Sequence, residues 1–317
     1  MPSKIMRRSR HHQRGAAFIV FTVILLSVGM GFVLLQAIEM ARQRANVWQQ
    51  LQLERVSTAG EALRQYYIQN AACIDAVPVP TSCQLPTDAT ILTIAGVPSE
   101  WNLIAHVSIL IASSGPIQYH ELVVIAPADD GSQIENFDVT HGTLTLCPDT
   151  SSKCVPRANV KIDGYAIEAE LYARSLKQLN DLALSAQAYF NAKYLSNPDH
   201  DISKNWFRTP YCDPTATLCT PGVTDMPALD TFTASSDSTG AKAFALLMTP
   251  DEDPTAAADC MTNGPCPSVT NAWGGPVFLS NGSSALGASF TNPPYRLAIQ
   301  SNTPWNTSIE IFAVQSL

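Results

Sequence analysis

Charge is scarce in this chain: Asp, Glu, Lys and Arg make up 15 % of 317 residues, against 46 % apolar residues. Disorder needs low hydrophobicity and high net charge, so this composition belongs to a chain that folds around a core. Basic residues are scarcer than acidic ones, 19 against 27, for a net charge of −8. That argues against a general affinity for nucleic acid or for an anionic membrane surface. No Cys-x₂-Cys spacing occurs, and His106, His120, His141 and His200 are scattered, which leaves no zinc-site pattern and no expected metal. Gly-x-Ser-x-Gly, His-Glu-x-x-His and a phosphate-cradling glycine loop after a strand are all missing. A non-catalytic chain without a cofactor is the expectation.

The few basic residues are unevenly placed. Lys4, Arg7, Arg8, Arg10 and Arg14 crowd residues 1–15 with no acid among them, so the acidity lies in the rest of the chain. Immediately afterwards, from Ala16 to Ile38, no residue is charged. About 20 apolar residues at about 1.5 Å each match a bilayer core of roughly 30 Å. Thr22 and Ser27 do not spoil the run, because a helical hydroxyl can bond back to its own backbone. Basic residues ahead of the span predict a cytoplasmic N-terminus and an exported remainder. A cleaved secretory signal has a shorter apolar core, whereas an uncleaved single-pass anchor fits the arithmetic.

Past Ile38 the pattern turns amphipathic without a proline: Val47, Leu51, Val56, Ala59, Leu63 and Tyr66 recur at helical spacing. One helix is therefore expected from about Ala16 to about Asn70, on the order of 80 Å long. Gly60 is its single weak point, costing about 1 kcal/mol relative to Ala.

A basic stretch ending in Gln13-Arg14-Gly15, joined directly to that apolar run, resembles the class III leader of type IV prepilins and pseudopilins. The resemblance implies cleavage by prepilin peptidase between Gly15 and Ala16, leaving the membrane helix at the mature N-terminus. It further implies inner-membrane anchoring with a periplasmic head, then packing against other pilin subunits in an extracellular filament. Most members carry a Glu at the fifth mature position, understood to neutralise the amine of the adjacent subunit; here that position is Val20. Members without the acid are minor subunits associated with a filament tip, so the resemblance points to a minor or tip subunit. A surface or cell receptor is then a natural partner of the head, and no specific nucleic acid is implied.

A second amphipathic helix is predicted over residues 165–195, with Ile167, Leu171, Leu179, Leu182, Ala186 and Phe190 on one face. Asp163-Gly164 reads as its N-cap region, and Pro198 lies just past its end. An offset of 123 residues lays Val56 on Leu179, Ala59 on Leu182, Tyr66 on Tyr189 and Tyr67 on Phe190. Each helix is followed by a cysteine-bearing, proline-rich loop, a Trp and β-like runs. These are His106–Ile111 and Tyr119–Ala126 after Trp101, and Val277–Leu279, Tyr295–Gln300 and Ile309–Val314 after Trp273. The fold class expected is α+β: a leader over 1–15, an assembly helix over 16–38, and two pilin-like lobes over 39–160 and 161–317. Each lobe would be a helix with a small antiparallel sheet.

Asn271-Ala272-Trp273-Gly274-Gly275 resembles the turn that leads into the first strand in type IVb pilins and pseudopilins. Its glycines allow a tight turn with φ > 0, and Trp273 can plug the gap between helix and sheet. The eight cysteines fall as near neighbours, Cys73/Cys83, Cys147/Cys154, Cys212/Cys219 and Cys260/Cys266, all after the apolar run. That suits an oxidising compartment with local pairing, although eight cysteines allow 105 connectivities. Asp129–Glu135 and Asp251–Asp253 cluster acids without the EF-hand order. Calcium is one reading of them and solvated turns the simpler one.

Overall fold

In the computed structural model the described residues are 10–83, 85–127, 135–146, 157–196, 198, 200–208, 226–248 and 269–315. The chain is α+β, with a long apolar N-terminal helix and several small antiparallel sheets. The first helix, α1, runs unbroken from Arg10 to Ile74 over 65 residues, about 100 Å at about 1.5 Å per residue. It starts ahead of the expected Ala16 and ends beyond Asn70. Hydroxyls within it are absorbed by the backbone one turn back, as Ser27 Oγ donates to Val23 O (2.8 Å) and Thr58 Oγ to Glu54 O (2.9 Å).

Burial divides α1 in two. Val20 to Leu51 stand exposed apart from a half-covered Gly31. From Gln52 onward Val56, Ala59, Leu63, Tyr67, Ala71 and Ile74 form a buried stripe, each three or four residues from the last, as one helix face requires. That stripe packs on β7 (Asn159–Ile162) and β4 (Leu122–Ile125). With β1 (Ile104–Val107) these form a three-stranded antiparallel sheet in the order β1-β4-β7. Strand β4 is central and buried at all four residues, so its Leu-Val-Val-Ile run carries no alternation.

The second long helix, α3 (Gly164–Ser196), is capped by Asp163, whose Oδ1 accepts from Ala166 N (3.0 Å). It packs on β11 (Ser308–Val314) and β10 (Arg296–Asn302). These strands continue through β9 (Val277–Ser280) to a short β8 (Thr233–Ala234), giving an antiparallel sheet ordered β11-β10-β9-β8. Helix α4 (Ser238–Met248) lies against α3, and its Ala243, Phe244 and Leu247 are fully buried. In both sheets three strands meander, and the preceding long helix covers the third and the middle strand.

Several expectations need correction. The run His106–Ile111 is not one strand: β1 stops at Val107, and pairing resumes only at β2 (Ile111–Ala112). Between them Ser108 N–H still reaches Glu121 O, but Ile109 N–H turns to Val139 O. Likewise Tyr119–Ala126 splits into β3 (Gln118–Tyr119), which pairs with β2, and β4. The break falls at His120 and Glu121, where the His120 ring turns inward to a buried carboxylate. Helices α2 (Ile91–Ile94) and α4, the hairpin β5–β6 (Glu135–Asp138, Thr143–Leu146), β7 and β8 were not anticipated.

Candidate functional site

Among the described residues two places carry chemistry: the bare half of α1, and a polar cluster packed between α1 and α3. The bare half contains the Ala16–Ile38 run. Its side chains from Val20 on stand exposed among the described residues, Phe21 being 62 % exposed and Leu35 68 %. A helix this long and apolar could cross a membrane. Gly15 and Ala16 both lie inside α1, and Val20 sits on its exposed surface. Burying such a rod against water-free partners is the arrangement its composition demands.

At the far end of α1, Cys73 and Cys83 form a disulfide, which closes the segment that follows the helix. The other six cysteines named above, Cys147, Cys154, Cys212, Cys219, Cys260 and Cys266, lie outside the described residues. So do both acidic clusters, apart from Glu135 at the start of β5.

The Asn271–Gly275 segment is a closed turn. Asn271 N–H donates to Gly275 O (2.8 Å) and Gly274 N–H to Asn271 O (2.9 Å). Asn271 Oδ1 accepts from Trp273 N (3.0 Å) and Gly275 N (2.8 Å), while its Nδ2 donates to Ser301 Oγ (2.8 Å) and Asn302 O (2.9 Å). Gly274 has φ +80°, a conformation that favours glycine. The turn aims the buried Trp273 ring at Trp305, edge to face at 5.6 Å, and its Nε1–H at Glu168 Oε2 (2.8 Å) on α3.

Glu168 leads into the cluster. It is fully buried, one turn into α3, and faces the equally buried Asp75 just past the end of α1. Asp75 Oδ2 accepts from the Tyr67 hydroxyl (2.6 Å) and Oδ1 meets His120 Nδ1 (2.5 Å). The same Tyr67 oxygen accepts from His120 N–H (3.0 Å). Gly164 lets α3 start here, since a Cβ would stand 1.8 Å from His120 O. Burial, and then the Asp75 charge, push the Glu168 carboxyl up to about 9. Burial raises Asp75 too, to about 7, against the lowering effect of its hydrogen bonds. His120 is lowered to about 4 by desolvation, so near neutral pH it is an uncharged ring donating Nδ1–H to Asp75. Among the described residues no donor reaches the buried Glu168 Oε1. Between about pH 7 and 9, where Asp75 has released its proton and Glu168 has not, the cluster is therefore one buried carboxylate, Asp75, bound by a tyrosine, a neutral histidine and a protonated Glu168.

No protein-family model, curated protein or solved structure matches the chain. No local sequence pattern groups Tyr67, Asp75 and Glu168, and His120 looks scattered among the histidines. One signal was present: Glu168 interrupts the apolar face marked by Leu171 and Leu179. An acid on a buried stripe demands a partner.

Proposed function

We propose that the chain is a minor, tip-associated subunit of a type IV pilus or of a related secretion or conjugation filament. What carries this reading is α1: one unbroken helix, bare and apolar over one half and built into the head over the other. A plain anchor has no need of that continuity, whereas a filament subunit uses it to exchange lipid contacts for neighbouring helices. The Arg14-Gly15-Ala16 junction supports removal of residues 1–15 by prepilin peptidase. Before assembly the helix would rest in the inner membrane with the head in the periplasm; afterwards the head would face outward.

The repeated plan of a long helix over the third and middle strands of a meander supports two pilin-like lobes from an internal duplication. Val20 supports the minor role. An acid at this position is affordable within a bilayer only beside a cation, and a subunit without it offers no such partner to the next amine. Two lobes at every lattice position would also crowd a filament.

N-terminal sequencing and mass spectrometry of the protein taken from membranes test this. The expected chain begins at Ala16 with a methylated amine. Recovery of residues 1–15 instead would leave a single-pass, membrane-anchored periplasmic binding or envelope-structural protein. Filaments that display this head at every lattice position in cryo-electron microscopy would overturn the tip role.

A further inference from the structure

We propose that the Asp75–Glu168 carboxyl pair is a proton-locked joint between the α1 side and the α3 side of the head, closed while the two share a proton and loosened when it leaves. The geometry is that of a joint. Asp75 and Glu168 are both fully buried, and they come from opposite sides of the seam. Among the described residues one backbone hydrogen bond crosses that seam, from Val77 N–H to Pro304 O (2.9 Å); no sheet spans it.

Among the described residues every side chain hydrogen-bonded to the pair is a neutral donor. From α1 comes the Tyr67 hydroxyl, from the link between β3 and β4 the His120 imidazole, and from the turn before β9 the Trp273 indole. The nearby charged groups are engaged elsewhere: Lys161 bridges to Glu121 at 3.3 Å, and Asp163 caps α3. A single negative charge suits this setting, since Asp75 collects the Tyr67, His120 and Glu168 donors. Among the described residues no Lys or Arg pairs with either carboxyl, so a second charge meets no cation there. Loss of the Glu168 proton removes the donor between the carboxyls and sets two carboxylates face to face in a water-poor space, where like charges repel strongly. Separation of the two sides, admitting water, relieves that repulsion.

Solvent has a route to the pair. His120, which holds Asp75, also lines an open cleft of about 690 Å³ shared with Ile74, Asp88, Val107 and Leu110. Protons can exchange through this one side chain. The joint does not depend on the filament reading and belongs equally to an anchored protein that never polymerises.

The test uses the full-length chain in detergent micelles between pH 6 and 10. Labelling with 5-fluorotryptophan gives ¹⁹F resonances, that of Trp273 being assigned with Trp273→Phe. The Trp273 signal is expected to titrate with a midpoint near 9. Above it, hydrogen exchange at Val77, corrected for intrinsic rate, should speed up tenfold or more. Glu168→Gln keeps an amide donor to Asp75 and an acceptor for Trp273, and should remove both changes. Asp75→Asn serves if that variant does not fold; it should move the Trp273 midpoint to lower pH, because the facing charge is gone. A Trp273 signal that stays fixed through pH 10, or one that titrates alike in Glu168→Gln, overturns the proposal. A titration without faster exchange at Val77 also overturns it, leaving a static acid pair.

Discussion

Asn271 makes four side-chain hydrogen bonds, two accepted within its own turn and two donated to the end of β10. Asn271→Ala therefore strands two N–H groups and two oxygens at once in a buried corner. With a stranded buried group costing about 1–3 kcal/mol and water reaching some of them, a loss of roughly 3 kcal/mol is expected in urea unfolding. A loss below about 1 kcal/mol would show that the turn holds itself without the side chain. Trp273→Phe asks a narrower question, since it keeps an aromatic ring against Trp305 and removes only the donor to Glu168 and part of the ring. A further loss of about 1–3 kcal/mol is expected. Glu168→Gln, which changes the acceptor but keeps a carbonyl oxygen, should restore little of it, because the missing partner is the N–H. The motif residues were legible in the sequence through their glycines and tryptophan. The acceptor Glu168, 105 residues away, was not, since no local pattern names the partner of an indole.

Helix α1 was legible as an element because its signals are local: an uncharged run, then a stripe at helical spacing, with no proline to stop it. Gly60 shows what such signals omit. By propensity it is a defect, yet a Cβ there would stand 2.7 Å from Val160 Cγ1 on β7, so the glycine sets how closely helix and sheet approach. Gly60→Ala gains about 1 kcal/mol of helix propensity and incurs an overpacking cost of about 1–3 kcal/mol against a stiff, β-branched neighbour. A net destabilisation is expected by thermal melting, and Gly60→Ala combined with Val160→Ala should recover most of it. If the single variant is more stable than the parent, helix and sheet are not in tight contact there. The strands were less legible. Runs such as Tyr119–Ala126 look continuous in sequence, but β3 and β4 part where His120 leaves the sheet to reach Asp75, a demand set by tertiary structure alone.

For the whole molecule, pH is the global variable, and its sign follows from two buried carboxyls and the half-buried His120. Asp75 and Glu168 have raised values, near 7 and 9, so the folded chain holds protons that the unfolded chain has released above about pH 5. Stability from these groups is complete below the unfolded values and is lost as pH rises through 7 and then 9. His120, lowered to about 4, works in the opposite sense below about 6.5, where the unfolded ring takes up a proton. It flattens the acid side of the profile. The melting temperature is thus expected to fall between pH 6 and 9, on the order of 5–10 °C, and Glu168→Gln should flatten the upper part of that fall. A melting temperature that rises across this range would mean that the pair is not shielded from water.

The exposed rod makes the last demand on the whole molecule. Residues from Val20 to Ile38 stand exposed, away from the described part of the head, so a substitution there should leave head stability unchanged and alter only where the chain resides. Leu26→Arg places a charge near the middle of the apolar run, which costs about 2.5–3.5 kcal/mol for a spanning helix. Retention in the membrane after a carbonate wash should fall on the order of a hundredfold if the helix spans the bilayer alone. Leu53→Arg is the matched control: Leu53 is also on α1 and 58 % exposed, but lies beyond the charge-free segment, and its retention should match the parent. Equal retention of both variants would show that lipid does not surround the middle of the rod. Equal loss of both would place the water boundary further along α1 than its composition implies.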